Sequence, residues 1–239
     1  MNPCRAHFLR VTAALEAAAS DPGTSMEGAT SYELQLHQLI QDRLRLKQVQ
    51  SNQAKAELKR QLLVHHADYV QGVIEAGRGA QDEVVTTVML WRIDAGDYPG
   101  ALDVVAYVLQ HGLPMPDRFN RTTGCLVAEE IAEAALKAQK AGDTFPLAIL
   151  HRTAELTEGQ DMPDEVRAKL LLATGRATLQ GLTEDAPGQP GQIQAGIDLL
   201  KSAIDRHSTC GGKKDLDGAE RLLKKHTERQ EKEHAATGG

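Results

Sequence analysis

The sequence predicts an all-α protein, and three observations carry that expectation. Ala, Leu, Gln, Glu and Lys are abundant while aromatic residues make up only 3% of the chain, a balance that favours helices over strands. No stretch sustains the period-two alternation of a half-buried strand. Apolar residues recur instead at three- and four-residue spacing, in segments punctuated by Gly and Pro. A chain of 239 residues has room for one or two domains with a substantial core. The expected architecture is a set of long N-terminal amphipathic helices followed by a helical-hairpin bundle, partly tetratricopeptide-like.

In chain order, residues 4–19 read as a short amphipathic helix with Phe8, Val11 and Leu15 on one face. Residues 20–30, rich in Pro, Gly, Ser and Thr, read as a linker and hinge candidate. Thr30 or Ser31 can cap a long helix starting near Tyr32. Its Leu36, Ile40 and Leu44 lie four apart and its Leu39 and Leu46 seven apart, spacing that suits a partner helix from the same chain or another copy. Gln50–Glu57 is polar all round, either a solvated helix or a break. Apolar periodicity resumes at Leu58, Leu62 and Leu63 and runs to Ile74, where Gly77 and Gly79 end it.

The densest apolar run near the middle of the chain, with its only Trp, lies in Gly77–Arg92. Val84, Val88 and Trp91 share one helical face, with Val85 and Met89 beside it. A helix from about Ala80 to Ile93 this apolar must be covered by others, which makes it the central helix of the core. After a turn at residues 95–100, Pro99 suits the start of a helix to Gln110, and Gly112–Pro116 stops it. Residues 117–124, with Arg118 and Arg121, read as a polar loop. Helices then run from about Leu126 to Ala141, Pro146 to Leu156 and Asp161 to Leu179. Another carries Ile193, Ile197, Leu200 and Ile204, and a last charged helix fades into a disordered tail from Ala235. Gly96–Leu109 and Gly191–Ile204 each read as a turn followed by an Ala/Leu-rich helix, the form of half a tetratricopeptide pair. Generic antiparallel helices explain them as simply.

Chemistry is bounded mostly by exclusion. Cys4, Cys125 and Cys210 are odd in number and far apart, which argues against a disulfide framework and for a reducing compartment. There is no signal peptide pattern and no run of about 18 apolar residues to span a membrane. No phosphate-binding loop, dinucleotide fingerprint or zinc-spaced Cys/His set occurs. His65 and His66, with Asp68 near them, are adjacent on a helix and point about 100° apart, a poor chelate; they read as core or solvated histidines. Asp94 and Asp97, or Glu129, Glu130 and Glu133, could hold Mg²⁺, but carboxylates at turns and helix starts are ordinarily caps and solvated faces. No catalytic residue, metal site or cofactor is expected.

The positive signal is charge asymmetry. The chain carries net charge −6, yet Arg43, Arg45, Lys47, Lys55, Lys59 and Arg60 fall within eighteen residues that hold one acid, Glu57. Such a segment can bind phosphates in a salt-sensitive, sequence-independent way; a solvated coiled-coil face is the competing reading. A second basic set, Lys213, Lys214, Arg221, Lys224 and Lys225, is interleaved with acids and reads as a solvated helix.

Several stretches in order carry a family likeness: Gly79-Ala80-Gln81-Asp82-Glu83 with Thr87–Arg92, Asp94–Asp97 with Gly100-Ala101-Leu102, Gly112–Pro116, and Asp161–Leu170. With them the chain resembles the small terminase subunit of P-two-type tailed phages, traditionally labelled the terminase endonuclease subunit. The resemblance runs from about His7 to the helix after Lys213. It implies recognition of the packaging site on double-stranded viral DNA, assembly into a homo-oligomeric ring, and regulation of a large terminase subunit that carries ATPase and nuclease chemistry. It places the protein in the cytoplasm of the infected host, with no membrane association. On this reading residues 1–75 form a DNA-binding and self-association region, 76–208 a central scaffold, and 209–239 a charged helix and flexible tail. The six basic residues are the expected phosphate contacts. A Mg²⁺-dependent nuclease acting in its own right, and a helical-repeat adaptor without DNA contact, are the alternatives.

Overall fold

A computed structural model describes residues 2–115 and 121–237, with side chains as far as 231. Arg118 therefore lies outside the described residues. The described residues form ten helices and no strand: α1 Pro3–Ala19, α2 Thr30–Lys47, α3 Asn52–Ala76, α4 Glu83–Ala95, α5 Tyr98–Gln110, α6 Thr123–Ala141, α7 Leu147–Leu156, α8 Asp164–Leu179, α9 Gln192–Arg206 and α10 Lys213–Thr237. The all-α expectation holds. The chain divides into two compact units, residues 1–127 and 128–239, with the boundary inside α6.

In the first unit, α4 is the central helix. Ten of its thirteen residues, Val84 to Trp91 plus Ile93 and Ala95, are buried. It packs against α2, α3 and α5, as an apolar helix must. It starts at Glu83 rather than Ala80 because Asp82 caps it: Oδ1 accepts the N–H groups of Val84 and Val85 at 2.8 and 3.0 Å, satisfying two orphan amides. Asp97 does the same for α5, accepting from the Gly100 N–H at 3.1 Å.

The structure sharpens three sequence readings here. Residues 20–30 are not a free hinge. Met26 is buried, and the strand-like segment from Gly23 to Met26 pairs with residues 79–81 through Gly23 N to Gly79 O, Gln81 N to Thr24 O and Met26 N to Gln81 O. The polar stretch 50–57 contains both a break and a helix: α2 ends at Lys47, and Ser51 caps α3 through the Ala54 N–H. Finally, α1 does not bury its large apolar face. Ala13 and Ala17 go inside, while Phe8, Val11 and Leu15 are exposed. The reason is the approach to α3: a Cβ on Gly72 would lie 2.2 Å from the Arg10 carbonyl oxygen. Small residues permit that approach, and larger ones would prevent it.

The second unit is built on α8, α9 and α10. Leu172, Ile193, Ile197, Leu200, Ala203 and Ala219 form its core, with Leu179, Leu182 and Leu222 partly buried around them. Ion pairs stitch its rim, among them Arg176–Asp215 at 2.7 Å, Arg206–Asp164 at 3.1 Å and Lys201–Glu220 at 2.9 Å. The α10 cations take part, as a solvated helix would have them: Lys225 pairs with Glu184. The helix continues to Thr237, past the point where a disordered tail was expected.

Candidate nucleic-acid interface

The six basic residues lie on both sides of the turn at residues 48–51, three ending α2 and three in the first turns of α3. Arg45 and Lys47 in the last turn of α2 complement its dipole. Residues two apart on a helix do not share a face, so the structure gives these cations different tasks.

Arg43 turns inward onto α4: its guanidinium lies 2.7 Å from Glu83 Oε1 and donates to Thr87 Oγ1 at 2.8 Å. Lys59 pairs with Asp94, its side chain only 17% exposed. Arg60 donates Nε–H to the Ala95 carbonyl at 2.8 Å and also meets Glu57. Arg45 is half exposed and 3.5 Å from Asp42. Lys47 is exposed and Lys55 partly so, neither with an ion-pair partner among the described residues. Arg45, Lys47 and Lys55 thus remain open toward solvent near the turn, while Arg43, Lys59 and Arg60 clamp α2 and α3 to α4.

The carboxylates weighed as a metal site are also engaged. Asp94 meets Lys59, and Asp97 caps α5 while accepting from Arg92 at 2.7 Å. Lys169 gathers Glu133 at 2.9 Å, Glu165 at 3.3 Å and Glu129 at 3.7 Å, and the Glu133 hydrogen bond leads in raising its pKa. Among the described residues no group of three His, Cys, Asp or Glu side chains could hold a metal.

His66 is a core histidine. It is wholly buried, 2.8 Å from Gln35 Oε1 through Nδ1 and 3.3 Å from Asp42 Oδ2 through Nε2, and edge-on to Trp91 at 6.1 Å between ring centroids. Burial lowers its pKa, against the pull of Asp42. His65 stays half exposed, 3.5 Å from the same carboxylate. Sequence reasoning missed Asp42 and Gln35. Their signal was present: Tyr32, Gln35, Leu39, Asp42 and Leu46, spaced three and four apart, are with Ser31 the residues α2 buries, so Gln35 and Asp42 sit inside an otherwise apolar stripe.

Asp82 is the other buried charge. Besides capping α4 it accepts from the Tyr69 hydroxyl at 2.6 Å. Burial pushes its pKa up from 3.8 to about 6, although these three hydrogen bonds pull it down. Burial raises Tyr69 as well. Elsewhere, in the second unit, Gln139, Lys140, Arg176, Leu179, Lys214 and Leu222 line part of a groove of about 880 Å³, where Gln139 Oε1 is buried without a hydrogen-bond partner.

Among the described residues no helix is long and apolar enough to cross a membrane. The family described as "Phage small terminase subunit" matches residues 36–165, which include the basic segment and α4. The chain is 41% identical over 231 residues to the "Terminase, endonuclease subunit" of Escherichia phage P2, covering 97% of this chain and 89% of that protein. No solved structure matches.

Proposed function

Because the chain belongs to the phage small terminase subunit family, we propose that it is the packaging-site adaptor of a two-subunit terminase, working in the cytoplasm of the infected host. It binds double-stranded viral DNA, assembles into a homo-oligomeric ring and regulates the large subunit. Residues 1–75 carry DNA binding and self-association, and residues 76–208 the scaffold, with hairpins partly tetratricopeptide-like. The observation that supports DNA contact is the set of three cations flanking the α2–α3 turn, Arg45 and Lys47 exposed and Lys55 partly so, on a chain of net charge −6. Arg43, Lys59 and Arg60, each paired with a carboxylate, hold α2 and α3 on α4 and so position that turn.

This division of labour shapes the test. Reversing all six charges would set Glu against Glu83 and Asp94 and damage the fold. The triple variant R45E/K47E/K55E leaves those clamps intact. It is expected to bind packaging-site DNA about 100-fold more weakly at low salt, with unchanged far-ultraviolet circular dichroism. Unchanged affinity would sink the assignment.

The relative's printed name favours one second reading, that this chain itself cuts DNA. Purified chain with Mg²⁺ and packaging-site DNA, without the large subunit, decides between them. Cleavage that disappears in D94N while the helical signal persists would support the enzymatic reading.

A further inference from the structure

The corner between α2 and α3 carries a second kind of side chain beside its cations. Gln48, Gln50, Asn52 and Gln53 place four primary amides in a short stretch. Every residue from Lys47 to Ala54 is exposed except Val49, which is partly buried. None of the four amides makes a side-chain hydrogen bond among the described residues. Elsewhere Gln38, Gln71 and Gln194 each donate to a carboxylate four residues on. The corner supplies no such acceptor. Asn52, Ala54 and Ala56 lie four residues after Gln48, Gln50 and Asn52, and the Glu57 that follows Gln53 is already met by Arg60. Each of these amides therefore offers a donor and an acceptor side by side to a ligand.

We propose that Gln48, Gln50, Asn52 and Gln53 read base edges in the major groove of duplex DNA, with adenine as their chief target. The inference rests on the DNA-binding part of the proposed function and adds sequence readout to it. Contacts from Arg45, Lys47 and Lys55 to phosphates would fix position on the duplex but carry no sequence information. A primary amide matches the major-groove edge of adenine: its oxygen accepts from N6–H while its N–H donates to N7. The minor groove shows the same acceptors for A·T and T·A, and duplex RNA hides its major-groove edges in a deep, narrow cleft. B-form DNA is the ligand that fits. Its major groove, about 12 Å wide, admits a helix, and the small Ser51 and Ala54 let the corner approach closely. Ser51 also caps α3 through the Ala54 N–H, which fixes the backbone that carries Asn52 and Gln53.

The test uses the full chain and a pool of random-sequence DNA duplexes. Wild-type protein selects a preferred duplex from the pool, and a scrambled version of it reports non-specific affinity. The preferred duplex should contain adenines. Replacing them with 7-deazaadenine removes N7 but leaves base pairing and the minor groove intact, and should weaken wild-type binding about 5-fold per contacted base. Q48A/Q50A/N52A/Q53A should lower the ratio of preferred to scrambled affinity about 100-fold and become indifferent to 7-deazaadenine. Its helicity and salt slope should match wild type, because Ala is a good helix former and the Ser51 cap and the three cations remain. Selection without sequence preference, wild-type indifference to 7-deazaadenine, or an unchanged ratio in the quadruple variant would each overturn the readout. If the variant loses helicity, the 7-deazaadenine result on wild-type protein still decides. R45E/K47E/K55E separates the two ideas. If it weakens both duplexes while the quadruple variant keeps its ratio, the packaging reading stands and the readout falls; if wild-type protein binds neither duplex, both fall.

Discussion

At Asp82 one side chain answers three needs: it caps α4 through two amides, holds the Tyr69 hydroxyl and is itself fully buried. D82A should cost about 2–4 kcal/mol in urea unfolding, the sum of a lost cap and an orphaned buried hydroxyl. D82N keeps an oxygen for the amides and an amide for the hydroxyl, and should cost under about 1.5 kcal/mol. The pH dependence has opposed contributions. The folded Asp82 pKa is raised, so its contribution is whole below about 3.8 and is lost as pH rises through about 6. The His66 pKa is lowered, so its contribution is whole above 6.5 and is lost as pH falls below that. Wild-type protein should therefore lose less stability than D82N between pH 7 and pH 5, read from urea midpoints. Gly79 belongs to the same corner. Its φ is +71°, its N–H donates to the Tyr107 hydroxyl at 2.9 Å, and a Cβ there would meet His111 Nδ1 at 2.4 Å. G79A should destabilise by roughly 1–3 kcal/mol in the same measurement.

Among elements, α1 shows best how packing overrides propensity. An interior helical Gly is normally improved by Ala, by about 1 kcal/mol. At position 72 the sign should reverse, because the added methyl meets the α1 backbone. G72A should destabilise by roughly 1–3 kcal/mol and release α1 first, seen as faster amide exchange across residues 3–19. Helix α2 illustrates a different use of sequence. Gln35 and Asp42 occupy its buried seam and meet His66 of α3, so sliding the two helices by one turn would strand a buried carboxylate, at a cost of several kcal/mol. The polar pair sets register where leucines alone would tolerate slippage.

For the molecule as a whole, charge is divided between holding the fold and facing outward. In partly buried ion pairs desolvation offsets much of the attraction, so the clamps of Arg43 and Lys59 matter chiefly by orienting α2 and α3 on α4. The outward cations set the salt dependence. If Arg45, Lys47 and Lys55 each neutralise a phosphate, the triple reversal should flatten the slope of log affinity against log salt by about 3, from roughly 0.9 per contact. A slope unchanged from wild type in a salt titration would place the phosphate contacts elsewhere on the chain.

The sequence by itself determined the helical class, the central burial of α4 and most helix positions, because three- and four-residue periodicity and Gly/Pro punctuation are local properties. The residues that carried the family likeness at Gly79–Glu83 were legible too, though not their work: Gly79 permits a close approach, Gln81 pairs with the 23–26 segment, Asp82 caps and Glu83 holds Arg43. The histidines read as core or solvated proved to be one of each. Only the tertiary structure decided which apolar face of α1 turns inward, since helical spacing specifies a face but not its partner, and Gly72 admits only small residues there. Likewise, only the tertiary structure divided six similar cations between clamps and open positions. Composition counts charge, whereas the distance to Glu83 or Asp94 depends on how distant segments pack.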